Sequence, residues 1–96
     1  MDEKEFDRIY KSRRLDTEAY NLSYFMDTGT NWKEPDDKSN IEIIHRIRRM
    51  QATIRLLRGC FSRGLETFED LRSDGLFYMI ARKNILEYRN EWDYNS

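Results

Sequence analysis

The sequence predicts an all-α fold, a small single-domain helical bundle of three to five helices around a central basic amphipathic helix. Hydrophobic residues make up 39% and charged residues 36% of the 96 residues, with one proline and four glycines, and this composition favours helices over strands and turns. Apolar residues recur at spacings of three and four over long stretches, and no stretch carries a β-hairpin signal. A chain of this length buries only about two-thirds of the surface that its unfolded form exposes, so we expect a thin core.

The first element is a helix or a helix pair at about 2–27. Its apolar residues define two faces that lie about half a turn apart on a straight helix. The two faces consist of Phe6, Ile9 and Tyr10, and of Leu15, Ala19, Leu22 and Met26. Either the helix breaks between Ser12 and Asp16, or one helix is sandwiched between two surfaces. The break is favoured because Asp16 and Thr17 can each cap a new start.

A loop is predicted over 28–39, a polar segment that holds a glycine, an asparagine and a proline. Trp32 in this loop either folds back over the core as a lid or serves as an anchor for a partner, since tryptophan is enriched at interface hot spots. The acidic pair Asp36 and Asp37 is either solvated or neutralises arginines of the next helix.

The central helix is predicted over 40–58, where six apolar residues follow one another at spacings of four and three. This seam consists of Ile43, Ile47, Met50, Ile54, Leu57 and Phe61. Ser39 and Glu42 have the spacing of a capping box at its start, and Gly59 is the expected stop. Leu56 and Cys60 are expected on the outer side of this helix, as a small apolar spot.

A short helix follows at about 66–72, with Thr67 and Asp70 as a second capping box. Its expected inner face consists of Leu65, Phe68 and Leu71.

The C-terminal helix is predicted over 75–93 from one apolar stripe. The stripe consists of Phe77, Ala81, Ile85, Tyr88 and Trp92. The opposite side still carries Met79 and Leu86, one heptad apart. The helix is therefore either central in the bundle or half of an oligomer interface, as in a homodimer.

Catalysis, a metal site and a cofactor are not expected. His45 is the only histidine and is expected at the surface, and Cys60 lies fifteen positions away, roughly 20 Å along one helix, so the two cannot form a nucleophilic pair. No glycine-rich phosphate loop is present. The lone cysteine, the lack of a leader segment and the short apolar runs predict a cytoplasmic protein with no membrane span.

An arginine cluster on and just after the central helix is the strongest candidate site. Its members are Arg46, Arg48, Arg49, Arg55, Arg58 and Arg63. These guanidinium groups could bind phosphates of a nucleic acid or a nucleotide, or clamp an acidic protein surface. Alternatively they pair with the chain's own acids, for which the candidates are Asp36, Asp37, Glu42, Glu66, Glu69 and Asp70. Because 17 basic residues face 18 acidic ones, internal pairing is favoured.

The second half of the chain resembles the layout of the HepT/HEPN helical ribonucleases. The resemblance is carried by IIHRIRRMQATIRLL, the turn LETFEDL, a further helix and Arg89-Asn90. That family pairs an arginine with a histidine a few residues later, and no histidine follows Arg82 or Arg89 here. The resemblance therefore implies an inactive relative. In style, the chain is also similar to bacteriophage accessory proteins, including anti-CRISPR proteins.

The first functional hypothesis is a non-enzymatic protein that binds a protein partner as a regulator or inhibitor, with a homodimer as one form of such binding. It depends on apolar faces that exceed the needs of one core, at Phe6, Ile9 and Tyr10 and at Met79 and Leu86. The candidate interface residues are Trp32, Met79, Leu86, Trp92 and Tyr94. The alternative is a nucleic-acid or nucleotide-phosphate binding module that uses the arginines.

Overall fold

The computed structural model describes the backbone of residues 1–28 and 40–95 and the side chains of residues 1–24 and 44–89. The described part contains five helices and no strand, which confirms the all-α prediction. The helices are α1 Glu3–Tyr10, α2 Leu15–Thr28, α3 Asn40–Ser62, α4 Phe68–Leu71 and α5 Gly75–Asn95. The Ser39–Glu42 capping box and the loop readings of Trp32, Asp36 and Asp37 lie outside the described residues. No helix in the described ranges is long and apolar enough to cross a membrane.

The break expected near Ser12 is present, because α1 ends at Tyr10 and α2 starts at Leu15. Asp2 caps α1 by accepting the Glu5 N–H at 2.8 Å. The break lets α1 turn its own apolar face inward, and Phe6 and Tyr10 are both fully buried. Their rings meet Phe68 edge-on, at centroid distances of 5.7 and 5.4 Å. The expectation that Phe6 and Tyr10 form a surplus outer face is therefore wrong, and only Ile9 of that face is exposed.

The sequence predicted that the central helix stops at Gly59. In the structure, helix α3 continues to Ser62. The chain turns at Gly64, whose φ of +100° lies in the region that favours glycine. The Gly64 N–H bonds to the Phe61 carbonyl at 3.0 Å and the Leu65 N–H bonds to the Cys60 carbonyl at 3.1 Å. These two bonds make a Schellman motif, which satisfies the carbonyls of the last turn.

The core lies where α3 packs between α2 and α5. Met50, Ile54 and Leu57 of the seam are buried, as expected, and Ile47 and Phe61 are half-buried. Cys60 is also fully buried, so its expected place on an outer apolar spot is wrong, and its neighbour Leu56 packs partly buried against the core. The reason is that α3 has a neighbour on each side, which widens its buried arc beyond one seam.

The C-terminal part of the core comes from α4 and α5. The capping box of α4 is present, with the Thr67 hydroxyl accepting the Asp70 N–H at 3.2 Å and Asp70 accepting the Thr67 N–H at 3.1 Å. Among the side chains of α5 that the structure describes, those of Tyr78, Ala81, Ile85 and Leu86 are buried. Leu86 therefore belongs to the core, and its expected place on an exposed interface is wrong because α5 is covered on two sides, by α1 and by α3.

Candidate functional site

Four arginines of α3 are exposed, and the three that form no ion pair with a described carboxylate are called the basic face: Arg48, Arg55 and Arg58. Arg48 and Arg55 are seven residues apart, which is two helical turns or about 10.5 Å, so their side chains leave the helix in nearly the same direction. Among the described residues, no carboxylate lies within ion-pair distance of Arg48 or Arg55. The middle of the face therefore presents positive charge to solvent.

Contacts to both neighbouring helices fix the borders of the basic face. On one border, Arg58 Nη2 donates to Ser23 Oγ of α2 at 3.1 Å. On the other border, Arg49 Nη1 forms an ion pair with Glu87 Oε2 of α5 at 3.0 Å. The basic face is thus the exposed strip of α3 that remains between α2 and α5.

Arg46 and Arg63, the remaining members of the predicted cluster, lie away from this strip. Arg46 is half-buried. Arg63 follows the last turn of α3, where its Nη2 lies 3.5 Å from Cys60 Sγ and its guanidinium lies 5.3 Å from the centre of the Phe77 ring. The structure therefore brings three of the six predicted arginines together.

The acids expected to neutralise this cluster are engaged elsewhere where the structure describes them. Glu66 Oε2 lies 3.9 Å from Arg14, and Glu69 pairs with Arg72 at 3.4 Å. Asp70 accepts the backbone N–H groups of Glu66 and Thr67 at the start of α4, and these bonds hold its pKa below the usual value. The prediction that Glu66, Glu69 and Asp70 pair with the α3 arginines is therefore wrong. The other three candidates, Asp36, Asp37 and Glu42, lie outside the described side chains.

Two exposed tyrosines lie on α2, the helix whose Ser23 accepts a hydrogen bond from Arg58. Tyr20 and Tyr24 are 66% and 61% exposed, and their rings stack with centroids 6.4 Å apart and planes inclined by 20°. They are one turn apart, and Ser23, whose Oγ accepts the hydrogen bond from Arg58, lies between them in sequence. The sequence held a signal for this pair in the i, i+4 spacing of the two tyrosines.

An exposed apolar strip lies on the first two turns of α5. Leu76 and Met79 are 66% and 59% exposed, and Ile80 joins them at the i, i+4 position from Leu76. Met79 is thus the one predicted interface residue that the structure describes at the surface. The other candidates are Leu86, Trp32, Trp92 and Tyr94. Leu86 is buried, and the side chains of the other three lie outside the described residues.

A separate charged network joins α1 to α5. Arg82 Nη1 donates to both carboxylate oxygens of Asp7, at 3.1 and 2.9 Å, and the Tyr78 hydroxyl donates to Asp7 Oδ1. Burial raises the pKa of Asp7, but the hydrogen bonds from Tyr78 and Arg82 outweigh it and hold the pKa below the usual value. Burial and the Asp7 carboxylate raise the pKa of Tyr78 to about 12. The network holds α1 on the bundle.

A second polar group is buried between α1, α2 and α5. Glu18 of α2 is almost fully buried and pairs with Arg13 at 3.3 Å. The ring of Tyr10 lies under the guanidinium groups of Arg13 and Arg89, at 4.1 and 5.6 Å. Burial and Glu18 raise the pKa of Tyr10. This group ties the break between α1 and α2 to the last helix.

The residues singled out for catalysis or metal binding lie apart in the structure. His45 is exposed, as expected, and Cys60 is buried. Within the ranges that the structure describes, no group of three or more His, Cys, Asp or Glu side chains could hold a metal ion. Comparisons with protein-family models, curated proteins and solved structures find no match to the chain.

Proposed function

We propose that this protein binds nucleic acid through the basic face of α3 and acts by binding rather than by catalysis. The observation that carries the proposal is the exposure of Arg48 and Arg55 in the middle of that face, with no carboxylate of the described residues paired to either. The sequence had favoured a protein partner. That preference depended on apolar faces of which Phe6, Tyr10 and Leu86 are buried in the core.

The geometry of the basic face suits a phosphodiester chain. Guanidinium groups bind phosphate oxygens bidentately, and an arginine remains charged at any physiological pH. The two turns between Arg48 and Arg55 span about 10.5 Å, close to three base steps of about 3.4 Å in a nucleic-acid strand. Arg58 borders the face one turn further on, so phosphate contacts can continue toward α2.

Strong salt dependence is the expected signature, because each phosphate contact releases condensed counterions. The formal net charge of −1 offers no general attraction for an anionic chain, so binding must depend on the local face. Replacing Arg48 and Arg55 by alanine should reduce the slope of log K against log salt by roughly 1.4 for a single strand or 1.8 for a duplex.

The test is fluorescence anisotropy with labelled single-stranded and duplex oligonucleotides, titrated from low to physiological salt. The matched control is Arg8→Ala with Lys11→Ala, which removes the same charge from exposed positions at α1. The control should retain the affinity and the salt slope of the native chain. Absence of binding at low salt, or an equal loss in both double variants, would contradict the proposal.

Protein-partner binding, as a regulator or inhibitor, is the second candidate, and the exposed strip of Leu76, Met79 and Ile80 favours it. Apolar side chains at i, i+3 and i+4 form one continuous ridge on a helix. If the partner is a second copy of the chain, light scattering should show a mass that rises to that of a dimer at micromolar concentration. A strict monomer would exclude the homodimer.

A further inference from the structure

We propose that α3 lies in the major groove of duplex DNA, where Gln51 hydrogen-bonds to the edge of a base pair. This inference rests on the function proposed above and names the class of its ligand. It starts from the composition of α3, because the sequence from Ile43 to Leu65 contains no Asp or Glu. A phosphate backbone that follows the helix from Ile43 to Ser62, about 30 Å, therefore meets no carboxylate of α3 itself.

The borders of the exposed arc lie on opposite sides of α3. Arg49 pairs with Glu87 of α5, and Arg58 donates to Ser23 of α2. The nine residues between these arginines make about 2.5 helical turns, so about half of the helix circumference faces solvent between the two borders. An α-helix with its side chains is about 10–12 Å across, and the major groove of B-form DNA is about 12 Å wide. The free half of α3 therefore matches the groove in size.

Gln51 lies within the exposed arc, one turn after Arg48 and one turn before Arg55. Its side chain is exposed and forms no hydrogen bond with the described residues. A glutamine amide offers both donors and an acceptor, and it binds N6 and N7 of adenine bidentately in the major groove. The neighbouring exposed side chain of Ala52 ends at a methyl group, so it does not hold the helix away from the base edges.

The arginines and Gln51 divide the work of binding. Phosphate contacts fix the position of a protein on DNA, and contacts to base edges determine the sequence that it selects. With Arg48 and Arg55 on phosphates about 10.5 Å apart, Gln51 lies between them along the helix axis, level with the enclosed base pairs. Gln51 should therefore determine sequence preference and leave the salt dependence to the arginines.

The chemistry of this face favours duplex DNA over other nucleic acids. Among the exposed side chains that the structure describes on α3, none is a Phe, Tyr or Trp ring on which an unpaired base would stack. An A-form RNA duplex has a deep, narrow major groove that side chains cannot read. B-form DNA lets Gln51 reach a base edge while the arginines hold the backbone.

The experiment first selects duplexes from a random DNA library with the native chain, with Gln51→Ala and with the matched control Asn21→Ala. Asn21 also has an exposed amide side chain, and it lies about 200° around α2 from Ser23. Circular dichroism should show retained helix in both variants, because both positions are exposed and alanine is a strong helix former. The native chain and the control should enrich the same adenine-containing site, and Gln51→Ala should lose the preference at one base pair.

Fluorescence anisotropy then compares four ligands: the enriched duplex, the same duplex with 7-deazaadenine, the matching RNA duplex and the separate DNA strand. Gln51→Ala should bind the enriched duplex about five- to 150-fold more weakly than the native chain, with an unchanged salt slope. Because 7-deazaadenine lacks N7 but keeps every phosphate, it should weaken the native chain and the control but not Gln51→Ala. The RNA duplex and the separate strand should bind the native chain at least about fivefold more weakly than the enriched duplex.

Three results would overturn this inference while leaving the basic face standing. They are a library without enrichment, a native affinity that 7-deazaadenine does not change, and an RNA duplex or separate strand that binds as tightly as the enriched duplex. Failure of the native chain to bind any nucleic acid at low salt would overturn the proposed function and this inference together.

Discussion

The contact between Asp7 of α1 and Arg82 of α5 allows a quantitative test of how the first helix is held. We predict that Asp7→Asn lowers the free energy of unfolding by about 2 kcal/mol. Arg82 donates to both oxygens of Asp7, at 3.1 and 2.9 Å, and such charged hydrogen bonds contribute about 1.5–3 kcal/mol. The two side chains are 28% and 18% exposed, and asparagine keeps one acceptor, so the lower part of that range applies.

For a domain of this size, 2 kcal/mol corresponds to a fall in Tm of about 8–16 °C, which thermal unfolding followed by circular dichroism can measure. The control is Glu3→Gln. Glu3 also approaches Arg82, at 3.4 Å, but its side chain is 72% exposed, so this change should alter stability by less than about 0.5 kcal/mol.

The pH dependence of the Tm difference between the native chain and Asp7→Asn tests whether the Asp7 carboxylate is responsible. Because the folded chain holds the pKa of Asp7 below its usual 3.8, the carboxylate stabilises the fold above about pH 4, and this contribution is lost as the pH falls through the folded pKa. The gap between native chain and variant should be full at neutral pH and close on acidification. An unchanged Tm at pH 7, or a gap that persists in acid, would refute the reasoning.

Two further predictions follow from the same structure. Tyr78→Phe should cost about 1 kcal/mol at neutral pH through the lost bond to Asp7. The fold raises the pKa of Tyr78 from 10.0 to about 12, so this contribution is fully present below pH 10 and is lost as the pH rises through about 12. The urea midpoints of the native chain and of Tyr78→Phe should therefore converge near pH 12. Gly64→Ala should lower the free energy of unfolding by about 1–2 kcal/mol, because Gly64 has a φ of +100°. Gly59→Ala should raise it by up to about 1 kcal/mol, because Gly59 lies inside α3 and an added Cβ would meet no atom within 4 Å. A destabilising Gly59→Ala together with a stabilising Gly64→Ala would show that α3 ends at Gly59.

Local patterns were sufficient to predict much of the fold. The change of apolar face after Tyr10 predicted the break between α1 and α2, and the Thr67 and Asp70 pair predicted the start of α4. Both signals depend on residues within one or two turns of each other. A helix start or a break of this kind is determined by backbone N–H groups and side chains that are already neighbours in sequence.

The end of α3 could not be predicted in this way, because Gly59 and Gly64 are equally able to close a helix. Tertiary hydrogen bonds decide between them. With the turn at Gly64, the Leu15 N–H reaches the Glu66 carbonyl at 2.8 Å and the Phe68 N–H reaches the Arg13 carbonyl at 3.1 Å. The burial of Cys60 also depends on tertiary packing, because α3 has a neighbouring helix on each side.

The candidate site shows the same division between local and tertiary information. The arginines of α3 were evident from the sequence, but near-equal charge totals predicted that the chain's own acids would neutralise them. Carboxylates such as Asp2 and Asp70 instead bind backbone N–H groups at helix starts, and Asp7 holds Arg82. An acid bound within its own turn cannot reach the middle of α3. Among the described residues, Arg48 and Arg55 therefore keep a local positive charge on a chain of net charge −1, and this local charge is what the anionic strand that we propose as ligand would encounter.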